Sequence, residues 1–167
     1  MKACLILCCI IISGTSFTQE VQKTQLQNLF NDSKTFFKES RGEIEQINGQ
    51  DTSYTSKVSF NGKSNGSISF KSGKTKWAVY SIYLLESASL NEVKKEALFW
   101  REVIKSVATT YTEEIKDGSR KNIHGKPEYE YLFTKVEDDK KSWMNVLYAK
   151  DKKAYYLYLS VGWQDWQ

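Results

Sequence analysis

The residues best suited to acid–base chemistry lie in one polar stretch of the chain. His124 is the only histidine, and Glu113, Glu114 and Asp117 come shortly before it. A histidine acts as a general base when a carboxylate orients it and a nucleophile or a water lies within hydrogen-bond reach. The stretch therefore supports one functional hypothesis, a small hydrolase that uses these carboxylates near His124.

Metal and nucleotide sites have stronger sequence signatures, and the chain lacks them. A single histidine, with no cysteine beyond residue 18, supplies too few ligands for zinc, and the spacing of a calcium loop is missing. The Ser72-Gly73-Lys74-Thr75 stretch resembles the end of a phosphate-binding loop, but Ile68 stands where that motif needs its first glycine. We therefore expect no metal and no cofactor, and we interpret the stretch as a hairpin turn.

Aromatic side chains crowd the C-terminal segment and offer a different kind of chemistry. In an extended strand, Tyr156 and Tyr158 share one face, whereas Leu157, Leu159, Val161 and Trp163 share the other. Tyrosine and tryptophan combine a large apolar area with a polar tip, which suits them to contact surfaces. The candidate binding residues are Tyr156, Tyr158, Trp163 and Trp166. If both sides of the sheet are covered, these side chains only pack in the interior.

Two amphipathic helices are predicted to position these residues. The first covers residues 21–40, where apolar side chains recur at intervals of three and four. The second begins at Ser89, which forms a Ser-x-x-Glu capping box with Glu92. Its buried stripe includes Val93, Ala97, Trp100 and Ile104.

Alternating segments predict strands at residues 52–60, 67–71, 74–85, 128–136, 142–149 and 154–161, with a seventh, short strand near 120–123. Residues 43–51 are predicted to be a connection. Segment 74–85 is apolar on both faces, so we expect it to be central, with Trp77 or Val79 against the second helix. The fold class is α+β: one mostly antiparallel sheet of six or seven strands with two main helices, in the order α-βββ-α-(β)βββ. Both halves of the chain share this element order.

The first 18 residues have the layout of a secretory signal peptide. Lys2 precedes an apolar run at residues 3–12, and small residues follow it. The run is shorter than the ~20 residues of a membrane-spanning helix, so no stable membrane anchor is expected. Removing residues 1–18 also removes all three cysteines and leaves residues 19–167 as a single domain.

The charge pattern narrows the range of partners. Lysine, arginine, aspartate and glutamate are mixed along the chain, and the formal net charge is +4. The chain has no block of five or six like charges, so its sequence does not indicate nucleic-acid binding. The sequence favours a soluble, secreted or periplasmic, non-catalytic module that binds a ligand or a protein. The small hydrolase is the alternative.

Export is the first testable prediction. N-terminal sequencing of the secreted or periplasmic protein should begin at Gln19, because Ser16 and Thr18 fit the small positions before a cleavage site. A folded cytoplasmic protein that retains Met1 would contradict it.

Overall fold

The computed structural model describes residues 19–60, 62, 66–121, 127–151 and 153–166. The predicted signal segment and His124 lie outside these residues. The elements, in chain order, are α1 (residues 19–33), β1 (Arg41–Asn48), β2 (Asp51–Ser56), β3 (Ser67–Lys71), β4 (Thr75–Ser87), α2 (Leu90–Val107), β5 (Thr112–Lys121), β6 (Pro127–Glu137), β7 (Lys140–Asp151) and β8 (Ala154–Trp166). No helix of the described residues is long and apolar enough to cross a membrane.

The strands form one antiparallel sheet in the order β1-β2-β3-β4-β8-β7-β6-β5. Each half of the chain contributes one helix and a meander of four neighbouring strands. The halves meet where β4 pairs with β8, so β1 and β5 form the two edges. The predicted α+β class, with two helices and one antiparallel sheet, is confirmed. The sheet has eight strands instead of the predicted six or seven.

The edge strands account for this difference. β1 covers most of a segment that we predicted to be a connection, and β5 extends from Thr112 to Lys121, well beyond the short strand predicted near residues 120–123. The side chains of β1 are mostly exposed, so they show no alternation between apolar and polar positions. Because an edge strand has only one neighbour, its pairing leaves little trace in its own sequence.

The first helix ends earlier than its apolar spacing predicts. It stops at residue 33, and two consecutive non-glycine residues then adopt left-handed backbone angles, with φ of 59° at Phe36 and 60° at Phe37. Asp32 holds this turn, because its carboxylate accepts hydrogen bonds from the Thr35 hydroxyl at 2.8 Å and the Ser40 amide at 2.8 Å. The Phe37 side chain is fully buried. Its apolar character therefore reflects burial of the turn and not a longer helix.

The second helix begins as predicted. Ser89 is the N-cap, and its hydroxyl accepts a hydrogen bond from the Glu92 amide at 3.4 Å. Ser87 completes the arrangement: its hydroxyl donates to the Glu92 carboxylate and accepts from the Ser89 amide. The capping box is therefore closed through Ser87, and Glu92 does not reach back to Ser89 directly.

Both helices pack on one face of the sheet. Trp100 of α2 contacts Phe60 at a ring-centroid distance of 5.2 Å, and Phe60 contacts Tyr80 of β4 at 6.2 Å. Phe37, which follows α1, contacts the same Tyr80 at 6.4 Å. The expectation that Trp77 or Val79 faces the second helix is wrong. The residues that alternate with them, Ala78, Tyr80, Ile82 and Leu84, are the ones buried in the core.

Truncation of Trp100 tests this packing. Trp100→Ala should lower the free energy of unfolding by about 3–5 kcal/mol, because it empties a fully buried site. Leu98→Ala is the control on the same helix; Leu98 is 47% exposed, and its truncation should change stability by no more than about 0.5 kcal/mol. Denaturant titration measures both variants, and equal losses would contradict the helix orientation.

Candidate functional site

The sheet face turned away from α1 and α2 is called the open face. Among the described residues, no side chain of this face belongs to the buried hydrophobic core or to the partly buried hydrophobic residues packed against it. By alternation along β4, β7 and β8, its aromatic members are Trp77, Tyr83, Trp143, Tyr156, Tyr158 and Trp166. Three of the five tryptophans therefore lie on the side of the sheet without a described helix.

Three tyrosines form a cluster at one end of the open face. Tyr83 lies 5.4 Å from Tyr158 and 5.8 Å from Tyr156 between ring centroids. Its hydroxyl donates to the Glu86 carboxylate at 3.0 Å, and the Tyr156 hydroxyl donates to the same carboxylate at 3.4 Å. Desolvation, together with the Glu86 charge, raises the pKa of Tyr83. One carboxylate therefore holds the hydroxyls of Tyr83 and Tyr156, and the Tyr158 ring packs beside Tyr83.

A tryptophan lies flat at the centre of the open face. A Cβ atom at Gly162 would come within about 2.0 Å of the Trp143 indole, far inside van der Waals contact. Trp143 and Gly162 are paired neighbours on β7 and β8, so the glycine makes room for the ring. A glycine inside an otherwise apolar strand was the available sequence signal for this contact, and it was missed.

Trp163 lies on the opposite face and lines a cleft of about 590 Å³, called the Trp163 cleft. Phe30 of α1 and Val107 of α2 form its apolar wall, together with Tyr111 from the link to β5. Phe30 and Tyr111 meet edge to face at 5.8 Å. The cleft therefore opens where the ends of both helices leave the last residues of β6 and β8 and the first residues of β7 uncovered.

The rim of the Trp163 cleft is polar and mixed in charge. It carries three lysines (Lys34, Lys135, Lys140) and three carboxylates (Glu137, Asp138, Asp165). Lys135 and Glu137 are paired at 2.6 Å. Tyr111 and Ser142 share a hydrogen bond of 2.5 Å between their hydroxyls, and burial raises the pKa of Tyr111. The cleft thus combines an aromatic wall with both donors and acceptors.

A second cavity, of about 630 Å³, lies beside the turn that follows α1. Most of its described lining residues are of polar type, among them Asn28, Asp32 and Lys57, and none of them is aromatic. Asp32 is already engaged by the hydrogen bonds of that turn; desolvation raises its pKa, but these bonds outweigh it and lower the pKa overall. This cavity is therefore explained by the structure of the turn.

The four candidate binding residues divide between two surfaces. Tyr156, Tyr158 and Trp166 are on the open face, where Tyr158 is 38% and Trp166 37% exposed. Trp163 lies on the helix-covered side, in the cleft. Sequence alternation separated Trp163 from the tyrosines, but it gave no sign of Phe30 and Tyr111. These two partners come from distant segments that only the tertiary fold brings to the cleft.

The carboxylates of the hydrolase hypothesis do not converge. Glu113 faces α2, where Arg101 binds it in a bidentate pair at 2.5 and 3.1 Å. Glu114 is its direct neighbour in β5 and therefore points to the opposite side of the sheet. Hydrogen bonds from the Ser119 side chain and from the Ser119 amide lower the pKa of Asp117. Among the described residues, no group of three or more His, Cys, Asp and Glu side chains could hold a metal ion.

Comparison of the chain with protein-family models, with curated proteins and with solved structures gives no match. Its function has to be inferred from the arrangement of its own residues.

The Glu113–Arg101 pair generates a prediction about pH. Hydrogen bonding to Arg101 holds the pKa of Glu113 below its usual value, so the pair stabilises the fold above the unfolded-state pKa and loses this effect as pH falls. Glu113→Gln should lower the free energy of unfolding at pH 7 by about 1–2 kcal/mol. The difference between variant and wild type should shrink below about pH 4 in denaturant titrations. A difference that stays constant down to pH 3 would contradict this interpretation.

Proposed function

We propose that this protein is an exported, non-catalytic module that binds a neutral carbohydrate ring in the Trp163 cleft. The observation that carries the proposal is the combination of an aromatic wall with a charge-balanced polar rim in one cleft of about 590 Å³. Sites for small molecules typically measure about 300–1,000 Å³ and pair apolar walls with a few polar groups that fix orientation.

The charge balance selects a neutral ligand. Three lysines and three carboxylates surround the cleft, and Lys135 is already neutralised by Glu137. An anionic ligand would desolvate the remaining carboxylates without a partner, and a cationic ligand would do the same to the lysines. A neutral ligand rich in hydroxyls avoids both costs, because each hydroxyl donates to a carboxylate or accepts from a lysine.

The aromatic wall selects a ligand with an apolar face. Trp163, Phe30 and Tyr111 line the cleft, and aromatic rings contribute large contact areas with little loss of rotamer entropy. A sugar ring has an apolar C–H face and hydroxyls around its perimeter. It would place that face on the wall and its hydroxyls at the rim.

Removal of the Trp163 ring tests the proposal. The probes are cello-, chito- and xylo-oligosaccharides, measured by titration calorimetry with the purified protein. Trp163→Ala should weaken binding of the recognised oligosaccharide at least about tenfold, because it deletes the aromatic anchor. Trp166→Ala is the matched control; this residue is on the same strand but on the open face, and its truncation should leave the affinity unchanged.

Three results would overturn the proposal. The first is a wild-type protein that binds none of the probes at millimolar concentration. The second is a folded Trp163→Ala variant that binds as tightly as wild type. The third is an equal loss of affinity in the Trp166→Ala control, which would move the binding site to the open face.

A further inference from the structure

The open face is more apolar than the solvent-exposed face of an antiparallel sheet, which usually carries polar side chains. Its central strands hold six aromatic side chains together with Val79, Leu132 and Leu147. The described helices all lie on the other side. Contiguous apolar patches larger than a few hundred Å² are rare on monomeric proteins and mark interaction sites.

The size of the open face matches a protein–protein interface. Four strands spaced about 4.8 Å apart, each with about twelve residues rising about 3.3 Å, cover roughly 750 Å². A stable interface of standard size buries about 800 Å² on each partner. The four central strands, β4, β8, β7 and β6, therefore suffice for one such interface.

Two carboxylates of the open face are held by partners within the chain. Glu130 is only 7% exposed, lies 2.5 Å from Lys116 and accepts a hydrogen bond from the Asn145 amide. Glu86 accepts from two tyrosine hydroxyls. Lys141 lies on the same face as Glu86 and Glu130, so the face carries charges of both signs. A face of mixed sign repels a copy of itself less than a face of one sign would. Homodimer interfaces are also the more apolar class of interface.

The edges of the sheet are poorly suited to the same role. The pairing of β1 with β2 is irregular at two places, between Arg41 and Ile44 and between Ile44 and Gln46. β5 is irregular after Asp117, where Gly118 has a φ of 89°. Such bulges twist an edge away from a new strand and prevent edge-to-edge pairing. The open face is therefore better suited than either sheet edge to bind another protein chain.

From these observations we infer that the open face binds a second copy of this chain, face to face, in a two-fold symmetric dimer. The two sheets pack with their strands aligned or orthogonal at a spacing of about 10 Å. The tyrosine cluster and Trp143 of each protomer enter the interface. This inference is independent of the proposed carbohydrate site, which lies on the other side of the sheet.

Sedimentation velocity of the purified protein, residues 19–167, tests the dimer. The wild type should sediment as a dimer with a dissociation constant of about 1 µM or lower, as expected for an interface of this size. Tyr158→Glu/Trp166→Glu introduces a charge at each end of the open face, at the two most exposed aromatic positions. This variant should weaken the dimer at least about tenfold, because each charge would be desolvated without a partner.

Ile44→Glu/Ile47→Glu is the matched control. These isoleucines are 57% and 66% exposed on β1, so the variant adds the same charge away from the open face. It should remain dimeric, and circular dichroism should show both variants folded. A wild type that is monomeric at about 100 µM would overturn the inference and leave the open face to a different partner protein. If Ile44→Glu/Ile47→Glu abolishes the dimer and Tyr158→Glu/Trp166→Glu does not, the interface lies at the β1 edge, and this result would also overturn the inference.

Discussion

The antiparallel pairing of β4 with β8 is the constraint on which the rest of the structure depends. These strands end the two halves of the chain, and they pair from Thr75 opposite Trp166 to Ser87 opposite Tyr155. The pairing joins two four-stranded meanders into one sheet and places its most apolar strands at the centre. Because side chains alternate along each strand, the same register decides which residues enter the core and which face outward. Leu157, Leu159 and Val161 are buried against the helices, so the residues between them must lie on the open face.

The sequence predicted those parts of the fold in which the spacing of apolar side chains has a single explanation, the burial of one face of a strand or helix. β7 and β8 alternate because one face is buried, and α2 has an apolar stripe with a capping serine at its start. β1 was not predictable, since its side chains contact little and its pairing depends on backbone hydrogen bonds. The end of α1 was hidden because Phe36 and Phe37 continue the apolar spacing while their backbone has left the helix. Burial alone does not distinguish a helix from a well-packed turn.

For the candidate site too, the sequence revealed what depends on one strand and did not reveal what depends on the tertiary fold. Alternation in the sequence separated Trp163 from Tyr156 and Tyr158, since that property is local to one strand. It did not reveal which side was covered, because β4 is apolar on both faces. The expectation that Trp77 faces a helix failed for this reason. The cleft was also beyond sequence reasoning, because Phe30 and Tyr111 reach Trp163 from elements more than 50 residues away.

A single strand supplies both of the proposed surfaces, and this links them geometrically. β8 turns Trp163 toward the cleft and turns Tyr158 and Trp166 toward the open face. If two copies meet through their open faces, the two clefts lie on the outer sides of the dimer and remain accessible. Such a dimer would present two carbohydrate sites to one polymeric ligand, and bivalent attachment can raise avidity by about 10²–10⁴ without any new contact. An individual cleft would then need only weak affinity for its ligand. In this arrangement, an apolar sheet face with no described helix and an aromatic cleft beside the helix ends serve one function.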